Sequence, residues 1–146
     1  MAEKKIGNLD FRCERFGARQ QQRLLLRLGK LFGSAIADLQ RAVVKEGDEA
    51  ERDAAALEVL GRLFSQVDID EADALVVELS EAAQVREPNG TWEPIVFDHH
   101  FQGELLTGWQ VAYFVIEVNF RGFFDAAARS GLGAAILSSA RANSKH

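Results

Sequence analysis

The chain has 146 residues, 47% of them hydrophobic, and a net charge of −5, which fits one globular domain with a sizeable core. The acidic total argues against nonspecific nucleic-acid binding as the main role. The single cysteine excludes an internal disulfide, and the opening residues lack the apolar segment of a signal peptide, so we expect a cytoplasmic protein.

The first sixteen residues are predicted to be extended. Gly7-Asn8 is an acceptable turn pair, and the run from Leu9 to Cys13 alternates apolar and polar residues. The sequence therefore allows a short N-terminal β-hairpin, which would need to pack on another element to be stable.

Apolar residues at steps of three and four predict helices along most of the remaining chain. Asp48 and Asp70 are placed to cap two of them. The one long break, residues 85–95, holds both prolines. The predicted helices are 18–31, 35–45, 49–66, 70–84, a short one reaching Phe101, and a central helix that continues to Ser130 and can kink between Asn119 and Gly122. We therefore expect an all-α, single-domain bundle of five or six helices over residues 1–130, followed by a mobile C-terminal tail over residues 131–146.

The C-terminal third holds most of the aromatic surface. Nine of the thirteen aromatic residues lie at or after Trp92, and the central helix is apolar nearly all the way round. Its apolar run from Trp109 to Val118 is shorter than the about 20 residues that span a bilayer, so we expect no membrane segment. Such a helix is either buried or available to a partner.

Charge is unevenly distributed along the chain. Residues 1–36 carry eight Lys or Arg and three acids, whereas residues 46–104 carry sixteen acids and three Arg. The first predicted helix bears a basic row on one face, formed by Arg19, Arg23, Arg27 and Lys30. This row could bind phosphates, so a nucleic-acid-binding helical regulator is the alternative function. The competing reading is a solvated face, or a strip that meets the acidic helices of the same chain.

No residue pattern indicates catalysis or a metal site. His100 and Glu104 have the i, i+4 spacing of helical metal ligands, but His99, His100 and Glu104 are too few for a closed zinc site. Cys13 carries no local signature of a nucleophile, and the glycine motifs of nucleotide-binding and hydrolase folds are missing. We therefore predict no catalytic residues, no metal, no cofactor and no enzymatic activity.

Three features of the sequence carry a resemblance to a known family. The first is the opening Lys5–Cys13, followed closely by the glutamine- and leucine-rich run Gln20–Leu31. The second is the acidic middle with paired short helices. The third is Phe97-Asp-His-His-Phe101-x-Gly103 and the aromatic helix that follows it. In these features the sequence resembles the tail assembly chaperones of long-tailed bacteriophages and prophages.

The resemblance implies a non-catalytic role in virion morphogenesis. Such chaperones bind the long, helical tape-measure protein before tail-tube subunits polymerise around it, keep that protein soluble, and are absent from the finished virion. The partners implied are the phage tape-measure protein and the tail-tube protein, in the cytoplasm of the bacterial host cell.

A chaperone for an amphipathic helix needs an apolar groove or patch with a polar rim. We predict that part of the aromatic set of the central helix reaches the surface or an interface in a homo-oligomer, the alternative being that every ring belongs to the core. The candidate partner-binding residues are Trp109, Phe114, Phe120, Phe123 and Phe124.

Overall fold

The computed structural model describes residues 1–44 and 47–130, without the side chains at 128 and 130. The elements in chain order are β1 (Ala2–Ile6), β2 (Leu9–Cys13), α1 (Ala18–Phe32), α2 (Ile36–Val44), α3 (Glu49–Phe64), α4 (Ile69–Glu81), β3 (Gln84–Arg86), β4 (Trp92–Pro94), α5 (Phe97–His100) and α6 (Leu105–Ser130). A 3-10 turn, Gly33–Ala35, connects α1 to α2. The predicted mobile tail at 131–146 lies outside the described residues.

The all-α prediction is wrong, because the chain also forms an antiparallel sheet and is a mixed α/β protein. The sheet has four strands in the order β1-β2-β3-β4. The N-terminal hairpin is confirmed: Ile6 pairs with Leu9 across a two-residue turn, and Gly7 has a φ of +61°, which suits the first central residue of a type II′ turn. Strand β3 begins where the predicted helix 70–84 was expected to end, and the rest of β3 and all of β4 come from the long break at 85–95, which was not predicted to join a sheet.

The Cα positions divide the chain into two compact units. The sheet unit comprises Met1–Arg15 and Ile69–Val118, and the helical unit comprises Phe16–Asp68 and Asn119–His146. Helix α6 supplies residues to both units. That residues 1–130 act as one domain stays a prediction.

The core of the sheet unit is built around an aromatic cluster. Phe11 of β2 and Val85 of β3 are paired across the sheet and are almost fully buried. The ring of Phe101 lies 6.3 Å from that of Phe11 and 5.4 Å from that of Phe97. A Cβ at Gly108 would approach the Phe101 ring to 3.1 Å, so glycine allows α6 to pack closely against the cluster.

The opposite face of the sheet is polar. The Arg12 guanidinium lies 4.6 Å from the centre of the Trp92 ring, and its Nε donates a 2.6 Å hydrogen bond to Gln84. This stacking covers the half-buried indole of β4 with a cation from β2, across the intervening strand β3.

The helical unit packs α1, α2, α3 and the C-terminal part of α6 around a second core. The rings of Phe32 and Phe64 have centroids 6.0 Å apart. The side chain of Asp48 accepts a 2.8 Å bond from the Glu51 N–H, which confirms the predicted cap of α3. The largest fully buried side chains here are Leu28, Leu39, Val43 and Leu60.

One predicted detail of the helices, the cap of α4, is wrong. Helix α4 begins at Ile69, so Asp70 lies in its first turn and not at the cap. Its charge there still favours the positive end of the helix dipole. Helix α6 runs as one element from Leu105 to Ser130 and is not interrupted at Asn119 or Gly122.

Candidate partner-binding groove

An open groove with a volume of about 230 Å³ lies in the helical unit, between α1 and the C-terminal part of α6. Its apolar lining comes from both helices. The lining residues are Ala18, Gln21, Gln22, Leu25, Asn119, Phe120 and Phe123. Apolar side chains with a few polar groups among them are the usual lining of a site that receives apolar side chains.

A buried polar side chain in α6 holds the groove together. Asn119 is only 8% exposed, and its Oδ1 accepts hydrogen bonds from the Phe16 N–H at 2.9 Å and from Gln21 Nε2 at 3.1 Å. Phe16 precedes α1, and Gln21 lies in its first turns. Asn119 therefore ties the start of α1 to α6 and fixes the distance between the two walls.

Phe123 is the aromatic ring of α6 that this unit leaves open to solvent. Its side chain is 40% exposed, whereas Phe120 and Phe124 are buried. The ring of Phe124 lies 5.8 Å from that of Phe123 and 6.0 Å from that of Phe120. Phe124 thus contacts Phe123 and is itself packed against Phe120, which reduces the number of positions that the Phe123 ring can adopt.

Moving away from the groove around the axis of α1, an apolar side chain comes first and basic side chains follow. Leu26 is 65% exposed and lies one turn after Gln22 on the same side of the helix. Beyond it, Arg19, Arg23 and Lys30 are exposed. Arg27, the fourth member of the predicted basic row, is half-buried and has an interaction partner.

The α6 edge of the groove carries small residues. Gly122 and Ala126 are both exposed and lie one turn apart. A Cβ built at Gly122 would meet no neighbouring atom of the described chain within 4 Å. A second polypeptide could therefore approach the α6 backbone closely at this edge.

The sheet unit carries its own exposed apolar patch, at the start of α6. Leu105 and Leu106 are 57% and 62% exposed. Trp109, one turn later, is half-buried and has an interaction partner. Phe114 is buried in the core of this unit.

The histidines that were considered for metal binding serve the local structure. His100 Nδ1 accepts a 2.9 Å bond from the Val96 N–H, and its Nε2 lies 3.0 Å from a carboxylate oxygen of Glu87. With Nδ1 as an acceptor, the ring carries a hydrogen on Nε2, which points to Glu87. No group of three potential metal ligands occurs in residues 1–44 and 47–130.

Cys13 is placed as a core residue. Its side chain is 1% exposed, and burial, assisted by the neighbouring charge of Glu14, raises the pKa of the thiol to about 11. A thiol that stays protonated at neutral pH is a poor nucleophile.

Comparison with known proteins identifies a family for this chain. The family model described as phage tail assembly chaperone protein, TAC, matches residues 7–133. The chain belongs to the phage tail assembly chaperone family. Membership in a chaperone family suggests a non-enzymatic protein. No curated protein and no solved structure gives a significant match. None of the helices that the structure describes has the length and apolarity that a bilayer crossing requires.

The candidate residues predicted from the sequence include the α6 wall of the groove but none of the α1 wall. The sequence does contain a signal for the exposure of Leu26. This residue is the third of three consecutive leucines, and the helical period places it beside the basic row. An apolar side chain on an otherwise charged face is the pattern of a contact surface.

Proposed function

We propose that this tail assembly chaperone binds the tape-measure protein and keeps it soluble while the tail tube assembles. The proposal joins family membership to one structural observation: the groove of the helical unit is lined by the exposed Phe123 and by Leu25, and the exposed Leu26 follows Leu25 on α1. A tape-measure protein is a long amphipathic helix, and its apolar stripe would otherwise self-associate.

The shape of the groove suits side chains from such a helix. A volume of about 230 Å³ accommodates side chains but not a whole helix, so the client would lie along α1 and α6 and insert residues from its stripe. This is the helix-in-groove mode of recognition, in which anchors recur every three or four residues.

The five predicted aromatic residues have different roles in this proposal. Phe123 contacts the client directly, and Phe120 and Phe124 hold its ring in place. Trp109, with Leu105 and Leu106, forms a second contact surface. The remaining residue, Phe114, acts only through the stability of the core.

Co-expression with the cognate tape-measure protein tests the proposal. We expect Phe123→Ser and Leu26→Ser to lower the soluble fraction of the client severalfold, because each removes apolar contact area from the groove. Ile69→Ser is the matched control: Ile69 is 82% exposed and belongs to the sheet unit, so the client should stay soluble. Client solubility that is equal in all three variants would contradict the proposal.

The oligomeric state distinguishes a client surface from an interface between copies. Sedimentation of the purified chaperone should give the same mass for the wild type and for Phe123→Ser. If Phe123→Ser instead converts a dimer to a monomer, the groove is a contact between copies of this chain and the proposed client site is wrong.

The proposal also places the protein outside the mature virion. The chaperone would act in the cytoplasm of the host and leave the tape-measure protein as tail-tube subunits replace it. Mass spectrometry of purified virions should detect the tube and tape-measure proteins but not this chain. A stoichiometric amount of it in washed virions would contradict a transient role.

A further inference from the structure

Exposed basic residues form a strip on α1 beside the groove. Arg19, Arg23 and Lys30 are exposed on α1, and none of them forms an ion pair with another described residue. We call these three side chains the basic strip. Arg27 is left out because it already has a partner.

The basic strip borders the groove on one side only. With 3.6 residues per turn, the order around the axis of α1 is the groove lining, then Leu26, then the basic strip. Across the groove, the α6 edge presents Gly122 and Ala126, and the charged residues on that side of α6, Asp125 and Arg129, are paired with each other. A helix lying in the groove would therefore meet the basic strip along one flank, and small residues and a closed ion pair along the other.

From this asymmetry we infer that the groove selects amphipathic helices whose apolar stripe is bordered by acidic residues on one side. The inference rests on the proposed function and specifies the chemistry of the client. Lys and Arg side chains are long enough to reach past Leu26 to carboxylates at the border of the stripe. Such rim pairs contribute specificity and rate of association more than affinity.

The same asymmetry fixes the direction of the client. Reversing a helix end for end in the groove moves its acidic border from the α1 side to the α6 side, where the exposed cation, Arg129, is already paired with Asp125. A client with acids on one border therefore binds in one of the two antiparallel directions.

Three labelled synthetic peptides of about 21 residues test the inference against the full-length chain. They share one leucine stripe at steps of three and four, and carry Glu, Gln or Lys along one border. We expect the Glu peptide to bind about tenfold more tightly than the Gln peptide in fluorescence anisotropy at low salt, since three exposed ion pairs each contribute roughly a factor of two. The difference should shrink at about 0.5 M salt.

Charge reversal on the protein gives the complementary experiment. In Arg23→Glu/Lys30→Glu, the Lys peptide should bind more tightly than the Glu peptide. The matched control, Lys5→Glu/Arg62→Glu, makes the same change in net charge at exposed positions outside the strip and should keep the wild-type order. If a reversed variant does not fold, the comparison of peptides on the wild type decides alone.

These outcomes distinguish the inference about acidic borders from the proposed client-binding function. Equal affinity of the wild type for the Glu and Gln peptides would overturn the inference and leave the groove as a client site. If none of the peptides binds and Phe123→Ser has no effect on the solubility of the tape-measure protein, the proposed function itself is wrong.

Discussion

Replacing Asn119 by alanine should destabilise the chaperone by about 2 kcal/mol. The substitution removes the acceptor of two hydrogen bonds, from the Phe16 N–H at 2.9 Å and from Gln21 Nε2 at 3.1 Å. Each bond contributes about 1 kcal/mol net, and the N–H left without a partner adds to the loss. Alanine regains roughly 0.6 kcal/mol of helix propensity.

Urea unfolding followed by circular dichroism measures this change. With a slope of about 2 kcal/mol per molar urea, the midpoint of Asn119→Ala should fall by about 1 M. Gln21→Ala should lower it by roughly half as much, and less again in the Asn119→Ala background, because the two residues share one bond. The control is the neighbouring substitution Gln22→Ala. The Gln22 side chain is exposed and forms no hydrogen bond with another described residue.

A shift of less than about 0.25 M for Asn119→Ala, equivalent to about 0.5 kcal/mol, would refute this reasoning. It would mean that water replaces the Asn119 carbonyl at little cost, and that the start of α1 is held by apolar packing alone.

Four further predictions rest on described features. Gly122→Ala should stabilise the fold by about 0.5–1 kcal/mol in a thermal melt, because the added Cβ meets open space and a helical glycine is entropically costly. Gly108→Ala should destabilise the fold by about 1–3 kcal/mol, because the Cβ would lie 3.1 Å from the Phe101 ring. Equal changes in stability for the two glycine substitutions would contradict both predictions. Cys13 should react with a thiol reagent at pH 8 only after denaturation. Its raised pKa favours the protonated thiol in the fold, so this contribution to stability is complete below pH 9 and is lost as the pH rises toward 11; rapid native labelling would contradict its burial. Duplex DNA should bind weakly even at low salt, with no loss in Arg23→Glu; tight, salt-sensitive binding that this variant abolishes would favour the nucleic-acid alternative.

The helices could be predicted because each one carries its own periodic signal. The predicted helix at 18–31 corresponds to Ala18–Phe32, and Asp48 caps α3 as its chemistry suggests. Local apolar spacing and capping determine these elements, and neither needs knowledge of distant residues.

The sheet was missed because two of its strands have almost no local signal. The strands β3 and β4 have three residues each, which is too few for alternation to be recognised. They depend on pairing with β2, where Phe11 lies opposite Val85 at a distance of more than seventy positions in the chain. A single sequence does not reveal such a pairing.

The groove could be predicted only in part, because it also depends on contacts between residues that are far apart in the sequence. Aromatic excess pointed to α6, but periodicity could not separate the half-exposed Phe123 from the buried Phe120 and Phe124. Asn119 was interpreted as a point where the helix could kink. Its polar group is instead satisfied by residues near the other end of the chain, so the helix continues through it.

The hydrogen bond between Phe16 and Asn119 spans 103 positions of the chain. The two walls of the groove are therefore synthesised at different times. During translation, α1 leaves the ribosome well before α6 exists. At about 5–20 residues per second, the interval is roughly 5–20 seconds. Neither wall of the groove can be held by the other during that time, so the chaperone gains its binding surface only after α6 has been synthesised.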